Sequence, residues 1–282
     1  QQPVLTGPKD RIADWQGRVA LLTAHAAGSG PQAYPDVGLN SIATSRADQT
    51  QSRVVTAQIG QTVLFLLTML LAGMVLSNLV EEKGNKIIEV LAAAIPMDAV
   101  FLGKLFAMLA VSWVGITVWG LAGGAVWLGA GNSLANFPAP AVGWPMFFAF
   151  GVAYFSMGYL LLGSIFLAIG SLATTVREVQ TLSMPVTMLQ LLNFFFASYA
   201  MAKPGSVVET AAMIVPFSSP FMMLAKAAQD DTLWIHGATL AWQAVCVAIL
   251  VRGGAAMFKK RVMKSGPAGT GRRSLFRRKA AA

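Results

Sequence analysis

Long apolar runs alternate with short polar connections over most of this 282-residue chain. Five runs approach or exceed the roughly 20 apolar residues that a helix needs to cross a bilayer. They cover about 54–80, 105–128, 145–172, 182–202 and 234–251. The pattern therefore predicts an all-α integral membrane protein with five transmembrane helices in this chain.

Composition agrees with the hydropathy pattern. The chain is 55% hydrophobic and only 12% charged, and its mean hydropathy is +0.60. A soluble domain carries about 25% charged residues. Composition thus excludes an ordinary soluble globular domain.

The net charge of +9 is concentrated in the tail, which argues against a nucleic-acid partner. No acidic residue follows Asp231, and ten basic residues follow the last apolar run. Under the positive-inside rule such a tail is cytoplasmic, and it is placed to contact anionic lipid headgroups. Counting back through the spans makes connections 81–104 and 173–181 cytoplasmic and makes 129–144 and 203–233 exterior.

Three domains follow from this topology: an exterior soluble segment (1–53), a transmembrane domain (54–252) and a basic cytoplasmic tail (253–282). In the first segment, residues 10–28 are predicted to form one amphipathic helix, and 41–53 are predicted to be a soluble lead-in. Five crossings with a cytoplasmic C-terminus leave residue 1 outside, and no signal peptide is visible. We therefore expect a processed or truncated chain that lacks an earlier, sixth membrane helix.

The 81–104 connection is long and charged. Ile87, Leu91 and Ile95 recur at i, i+4 and i+8, which predicts a short amphipathic helix at the membrane surface. Glu82 is expected to pair with Lys86 one turn on. Pro96 is expected to end the helix, and Asp98 to cap the next one. Lys83, Lys86 and Glu89 are polar positions around this helix. Physics alone leaves two functions equally open, a simple joining helix and a docking surface for a cytoplasmic partner.

The exterior connection 203–233 contains an apolar stretch that is broken by Pro216 and Pro220. Proline removes a backbone donor and disrupts a helix. Irregular backbone at membrane depth must be covered by protein or line a cavity. The stretch is therefore predicted to be a re-entrant helix-break-helix rather than a crossing.

Candidate chemistry inside the spans is sparse. No charged side chain lies near the middle of any span, although ion-coupled transporters usually need one. The amides Gln58, Gln61, Asn78, Gln190, Asn193 and Gln243 are expected mainly to bond between helices. Gln190 and Asn193, which share a helix face, are the better candidates for a substrate path.

Catalytic, metal and nucleotide motifs are not recognised. His25 and His236 are isolated, and Cys246 is the single cysteine. The stretch 266–274 lacks the Lys-Ser/Thr of a phosphate loop. The chain is therefore expected to be no enzyme and to hold no metal or cofactor.

Three segments, in order, resemble type 2 ABC transporter permeases of the sodium-extrusion (NatB-like) branch. EEKGNKIIEVLAAAIPMDAVFLGK (81–104) is similar to their first cytoplasmic connection, TVREVQTLSMPVTMLQ (175–190) to their second cytoplasmic turn, and IVPFSSPFMML (214–224) to their exterior re-entrant segment. The resemblance covers about 54–265. In that family a first membrane helix and a large exterior domain precede the second helix, so residues 1–53 would be a remnant of that domain.

The resemblance implies the membrane half of an ATP-driven exporter of the bacterial inner membrane, with sodium as one substrate and drugs, lipids or peptides as others. A second permease chain and ABC ATP-binding subunits, which carry ATP and Mg²⁺, would be its partners. The implied partner-coupling residues are Glu81, Glu82, Lys83, Lys86, Glu89, Arg177 and Glu178. The implied exterior gate is Pro216, Phe217, Ser218, Ser219, Pro220 and Phe221. A secondary transporter or channel and a membrane scaffold that recruits a cytoplasmic partner stay open as alternatives.

Overall fold

The computed structural model describes residues 4–26, 28, 38–42, 46–84, 95–131, 138–172 and 176–262. The elements in chain order are β1 (Val4–Pro8), α1 (Lys9–Ala26), β2 (Gly38–Ile42), α2 (Arg46–Gly84), α3 (Met97–Gly129), α4 (Trp144–Leu172), α5 (Val176–Met201), α6 (Val207–Ile214), α7 (Ser219–Gln229) and α8 (Leu233–Val262).

Five of these helices are long and apolar enough to cross a membrane, which confirms the all-α membrane fold. The candidate spans are Ser52–Asn78, Asp98–Gly129, Trp144–Leu172, Arg177–Met201 and Leu233–Lys259. Helices α2, α3 and α5 begin several residues earlier than the apolar pattern predicts. Helix α2 starts at Arg46, inside the predicted soluble lead-in, because no glycine or proline interrupts 46–59.

Helix α4 is the central element of the bundle. It packs most extensively against α2 and α8 and also contacts α3, α5 and α7. Gly163 permits one of these approaches, since a Cβ there would lie 3.0 Å from Leu105 Cδ1 on α3. Gly163 therefore allows close packing between the two helices. Gly73 of α2, in contrast, has open space where a side chain would lie.

Helices α6 and α7 form the predicted helix-break-helix. Ser206 caps α6 by accepting a hydrogen bond from the Glu209 backbone N–H. The break spans 215–218 and contains Pro216, and Pro220 stands in the first turn of α7, where its missing N–H costs nothing. Most of α7 is buried against α2, α4 and α5.

The N-terminal segment differs from the prediction in one respect. The amphipathic helix expected at 10–28 is present as α1, but it connects two short parallel strands, β1 and β2. Their register pairs Val4 with Gly38 and Pro8 with Ile42. The strands were not predicted because each is only five residues long and neither shows an apolar alternation.

Two predicted features lie outside the described residues. Most of the amphipathic helix predicted over 81–95 falls on 85–94, with Lys86 and Glu89, while 81–84 continue α2 and Ile95 lies in a bend. Most of the basic tail falls on 263–282. Lys83 continues helix α2, but its side chain also lies outside what the structure describes.

Candidate functional site

Charged side chains gather at one end of the bundle, where α2, α4 and α8 end and α3 and α5 begin. We call this the charged end. The Lys104 ammonium lies 2.5 Å from Glu82 Oε1, which joins α3 to α2. The Lys259 ammonium lies 3.2 Å from Asp98 Oδ2, which joins α8 to α3. Three helix ends are therefore linked by ion pairs.

Both ion pairs differ from the sequence prediction. Glu82, expected to pair with Lys86, contacts Lys104, while Lys86 lies outside the described residues. Asp98 does not cap α3: the residue at the cap position is Pro96, and no side-chain hydrogen bond is made there. Asp98 instead lies within the first turn, where its negative charge interacts favourably with the positive end of the helix dipole. The capping prediction for Asp98 is wrong because tertiary packing brings Lys259 to its carboxylate.

Three other predicted coupling residues are described at the same end. Glu81 is exposed in the last turn of α2. Arg177 and Glu178 are exposed in the first turn of α5, which follows α4 after a short connection. Together with Glu82, these side chains give the surface of the charged end both positive and negative charges. Such a surface is suited to polar contact with another protein.

At the opposite end of the bundle, the predicted gate segment is packed into the protein. Ser218, Ser219, Pro220 and Phe221 are buried, while Pro216 and Phe217 are partly buried. The Ser218 hydroxyl donates to the Ala212 carbonyl at 2.9 Å, which satisfies a carbonyl at the end of α6.

Phe221 anchors the gate segment to two membrane helices. Its ring meets Phe65 of α2 edge-on with centroids 5.8 Å apart, and Phe194 of α5 at 6.2 Å. Phe65 and Phe194 stack on each other at 4.4 Å. Aromatic pairs in such geometries add specific attraction beyond burial. The segment therefore forms a plug held between α2 and α5.

A buried ion pair that no sequence pattern indicates joins α6 to α7. The Lys226 ammonium lies 2.7 Å from Glu209 Oε1 and 3.4 Å from Asp230 Oδ2. Glu209 Oε2 also accepts a hydrogen bond from the Gly205 backbone N–H at 2.6 Å. The two main partners are 17 residues apart across the proline break, so helical spacing carries no signal for them.

Asp230 is tied to its own chain as well. Thr232 donates to its carboxylate through both the hydroxyl, at 2.7 Å, and the backbone N–H, at 3.1 Å. These hydrogen bonds from Thr232, with a smaller contribution from the Lys226 charge, lower the pKa of Asp230 below its ordinary value.

The amide side chains behave in different ways. Asn78 donates to Met108 Sδ across the α2–α3 contact at 3.4 Å, which is an interhelical contact of the predicted kind. Gln61 and Gln243 are fully buried, yet their amides have no hydrogen-bond partner among the described residues. Gln190 is buried, and Asn193 donates within its own helix to the Leu189 carbonyl at 2.9 Å.

His236 has surroundings that its isolation in sequence did not reveal. Its imidazole Nδ1 and the Tyr154 hydroxyl lie 2.9 Å apart, and Phe150 stacks on the ring at 4.2 Å. Thr239 and Gln243, three and seven residues further along α8, are also buried. The helical spacing of these three polar residues was a signal that could have predicted a polar face directed into the bundle. Within the described ranges, no group of three or more His, Cys, Asp or Glu side chains is placed to hold a metal ion.

An apolar cavity of about 760 Å³ opens between α2, α3 and α4, in the half of the bundle away from the charged end. We call it the side cleft. Neither Gln190 nor Asn193 lines it. Its walls include Val63 and Leu64 of α2, Trp113 and Trp119 of α3, and Phe147 and Phe155 of α4.

Comparison with known proteins agrees with this architecture. Residues 25–254 match the family described as ABC-2 family transporter protein. The chain belongs to this family. It is a multi-pass membrane protein, in agreement with the five helices that are able to span a bilayer among the described residues.

Two relatives are themselves uncharacterized. The chain is 25% identical over 166 residues to the uncharacterized protein MJ1024 of Methanocaldococcus jannaschii. The aligned region covers 58% of this chain and 39% of that relative. It is 23% identical over 210 residues to the uncharacterized protein YhaP of Bacillus subtilis, which covers 71% of this chain and 49% of the relative. The match thus spans less than half the length of either relative. No solved structure matches the chain.

Proposed function

We propose that this ABC-2 permease is the membrane subunit of an ATP-driven exporter in the bacterial inner membrane. Two permease chains pair, and ATP-binding subunits that carry ATP and Mg²⁺ dock on the charged end. That end, the tail and the C-terminus face the cytoplasm, which agrees with the positive-inside rule.

The linked helix ends are the observation that carries this proposal. Glu82 holds α2 to α3, and Asp98 holds α3 to α8. A partner that pushes on the end of α2 therefore acts on α3 and α8 together. Glu81, Glu82, Arg177 and Glu178 are the proposed contact residues among the described positions. The sequence prediction adds Lys83, Lys86 and Glu89 to them.

The plug at the opposite end is the proposed exterior gate. Helix α7 packs against α2, whose other end carries Glu81 and Glu82. Motion of α2 along or about its axis thus reaches both ends of the bundle. Displacement of Phe221 from Phe65 and Phe194 opens the path, for which Gln190 and Asn193 are proposed lining residues.

The proposed substrate and the proposed extra segments rest on the family resemblance described above. The NatB-like segments favour sodium as the substrate, and drugs, lipids and peptides are the other classes that this architecture exports. Residues 1–53 are proposed as the remnant of a larger exterior domain that follows a sixth membrane helix. The match covers less than half of each relative, so the relatives are long enough to contain an additional membrane helix and a larger exterior domain.

The two alternatives differ in measurable ways. A secondary transporter or channel would carry flux through the purified chain in liposomes without ATP. A scaffold would capture a cytoplasmic partner that hydrolyses no ATP, and its deletion would leave export unchanged. An ATP-binding-subunit gene beside the gene for this chain favours the exporter over both.

Charge reversal at the charged end tests the coupling role. In membranes that contain this chain and its ATP-binding subunit, Glu81→Lys and Glu82→Lys are each expected to reduce co-purification and substrate-stimulated ATP hydrolysis by about tenfold. A tenfold change corresponds to about 1.4 kcal/mol, and a like-charge contact across an interface costs at least that much. Ile87→Pro, in the predicted amphipathic helix, is expected to have the same effect because proline breaks a helix.

The Glu82–Lys104 pair permits a matched control. Adding Lys104→Glu to Glu82→Lys restores an ion pair with reversed polarity and therefore restores the α2–α3 link. If Glu82 acts on the partner, the double variant regains thermal stability but not ATPase stimulation. Full recovery of stimulation in the double variant, or normal stimulation in both single variants at residues 81 and 82, would contradict the coupling assignment.

A further inference from the structure

The side cleft has a closed floor and an open rim. Leu64, Phe147 and Phe155 are buried at its base, together with Leu224 of α7. Trp119, whose side chain is 79% exposed, and the exposed Phe148 and Val152 form the rim. All three rim residues lie within candidate membrane spans, so the cleft opens sideways toward the bilayer.

Few polar groups reach the cleft, and those that do are already engaged. The Thr56 hydroxyl donates to the Pro138 carbonyl, and the Thr117 hydroxyl donates to the Trp113 carbonyl, each at 2.8 Å. The Trp113 indole N–H donates to the Ser156 hydroxyl of α4 at 3.2 Å. A hard cation needs about six oxygen ligands. The lining therefore suits hydrocarbon and not sodium.

Glycines create the space in the cleft. Gly120 and Gly151 both line it, and a Cβ at either would meet no atom within 4 Å. Gly60, a third lining glycine, is different because Phe147 Cζ lies 2.6 Å from where its Cβ would be. The volume is thus bounded by close packing at Gly60 and left open at Gly120 and Gly151.

We propose that the side cleft binds the acyl chain of a membrane amphiphile taken from the surrounding bilayer. Its volume lies within the range of about 300–1,000 Å³ that is typical of small-molecule sites, and its aromatic and aliphatic lining is typical of them too. The rim faces the hydrocarbon interior of the bilayer, so lipid acyl chains are always available to enter the cleft. Binding itself requires no ATP and no partner subunit.

A consequence for transport rests on the proposed exporter function. Leu224, on the cleft floor, follows Phe221 on α7 by three residues and is therefore on a neighbouring position of the same helix. An acyl chain in the cleft thus contacts the helix that carries the proposed gate. Among the substrate classes named above, the lining of the cleft therefore favours lipids with an acyl chain over sodium.

Photolabelling of the whole chain in nanodiscs tests the site. The probe is a palmitic acid analogue that carries a diazirine on its chain, and the competitor is unlabelled palmitic acid. Labelling is expected to fall on residues 113–120 and 147–152 and to saturate. Each methylene removed from an apolar contact weakens binding about fourfold, so Gly120→Leu and Gly151→Leu are expected to reduce labelling by at least about tenfold.

Gly124→Leu is the matched control, because Gly124 is on the same helix as Gly120, also has open space around it and does not line the cleft. It is expected to leave labelling unchanged. Labelling that does not saturate, or that is equal in all three variants, would overturn the proposal. So would label that falls equally on exposed residues of α5, such as Leu192. Glu82→Lys should retain full labelling, so a failure of ATP coupling is distinguishable from a failure of this site.

Discussion

At the scale of single residues, the most consequential contact is the Glu209–Lys226 ion pair. Both side chains are largely buried, and the pair closes the break between α6 and α7 at the proposed gate. Removing one partner of a buried pair is costly because the other charge stays desolvated. At the other end, Lys259 and Asp98 are exposed, so water solvates either charge if its partner is removed.

Replacing Glu209 by Gln is expected to lower the free energy of unfolding by about 1–3 kcal/mol, because Lys226 then loses its nearest buried counter-charge. Asp98→Asn makes the same chemical change at the exposed pair and is expected to cost no more than about 0.5 kcal/mol. Thermal unfolding in nanodiscs measures both. Equal losses in the two variants would contradict the assigned difference in burial.

Asp230 gives the gate region a dependence on pH. Its pKa in the folded protein is below the ordinary value of 3.8. Its stabilising contribution is therefore complete above that value and is lost as the pH falls through the lower, folded-state pKa. The difference in Tm between the wild type and Asp230→Asn is expected to stay constant from about pH 7 to about pH 5 and to shrink at lower pH. The neighbouring exposed Asp231→Asn is the control, and a difference that grows on acidification would contradict this sign.

At the scale of elements, the spans and the helix break could be predicted, but the contacts between them could not. Hydropathy identifies the spans because a long apolar segment in a bilayer must satisfy its backbone hydrogen bonds internally, as a helix does. Pro216 marks the break because proline lacks the backbone N–H that a helix needs. The partners of Glu82 and Glu209 depend on which helix ends meet, which no local pattern encodes. The side cleft depends on the packing that brings Gly120 and Gly151, on two different helices, to the lining of one cavity.

The contact of α3, α4 and α8 is a place where element packing can be tested. A Cβ at Gly254 of α8 would lie 2.9 Å from Phe101 Cζ on α3 and 3.3 Å from the Ser164 carbonyl oxygen on α4. Gly254→Leu is therefore expected to destabilise the bundle by about 1–3 kcal/mol through overpacking. Gly253→Leu, next to it but facing open space, is expected to have little effect on Tm. Equal Tm values in the two variants would show that α8 packs in another orientation.

At the scale of the whole molecule, the central helix α4 and the long helix α2 connect two chemically different ends. One end carries exposed charges of both signs, and the other carries the Phe221 plug and the buried Glu209–Lys226 pair. The sequence predicted this polarity from the positions of charge and proline. The proposed ATP-binding subunit would supply the energy for transport, which agrees with the scarcity of charge inside the spans.

The most direct test of the account is substrate flux in inside-out membrane vesicles that contain this chain and its ATP-binding subunit. Uptake of a fluorescent acyl amphiphile and of sodium should be measured with ATP, without ATP, and with a non-hydrolysable analogue. If the chain is the membrane subunit of an ATP-driven exporter, uptake requires hydrolysable ATP and falls about tenfold with Glu82→Lys. Uptake of equal rate without ATP would contradict the exporter assignment and would favour a secondary transporter or channel.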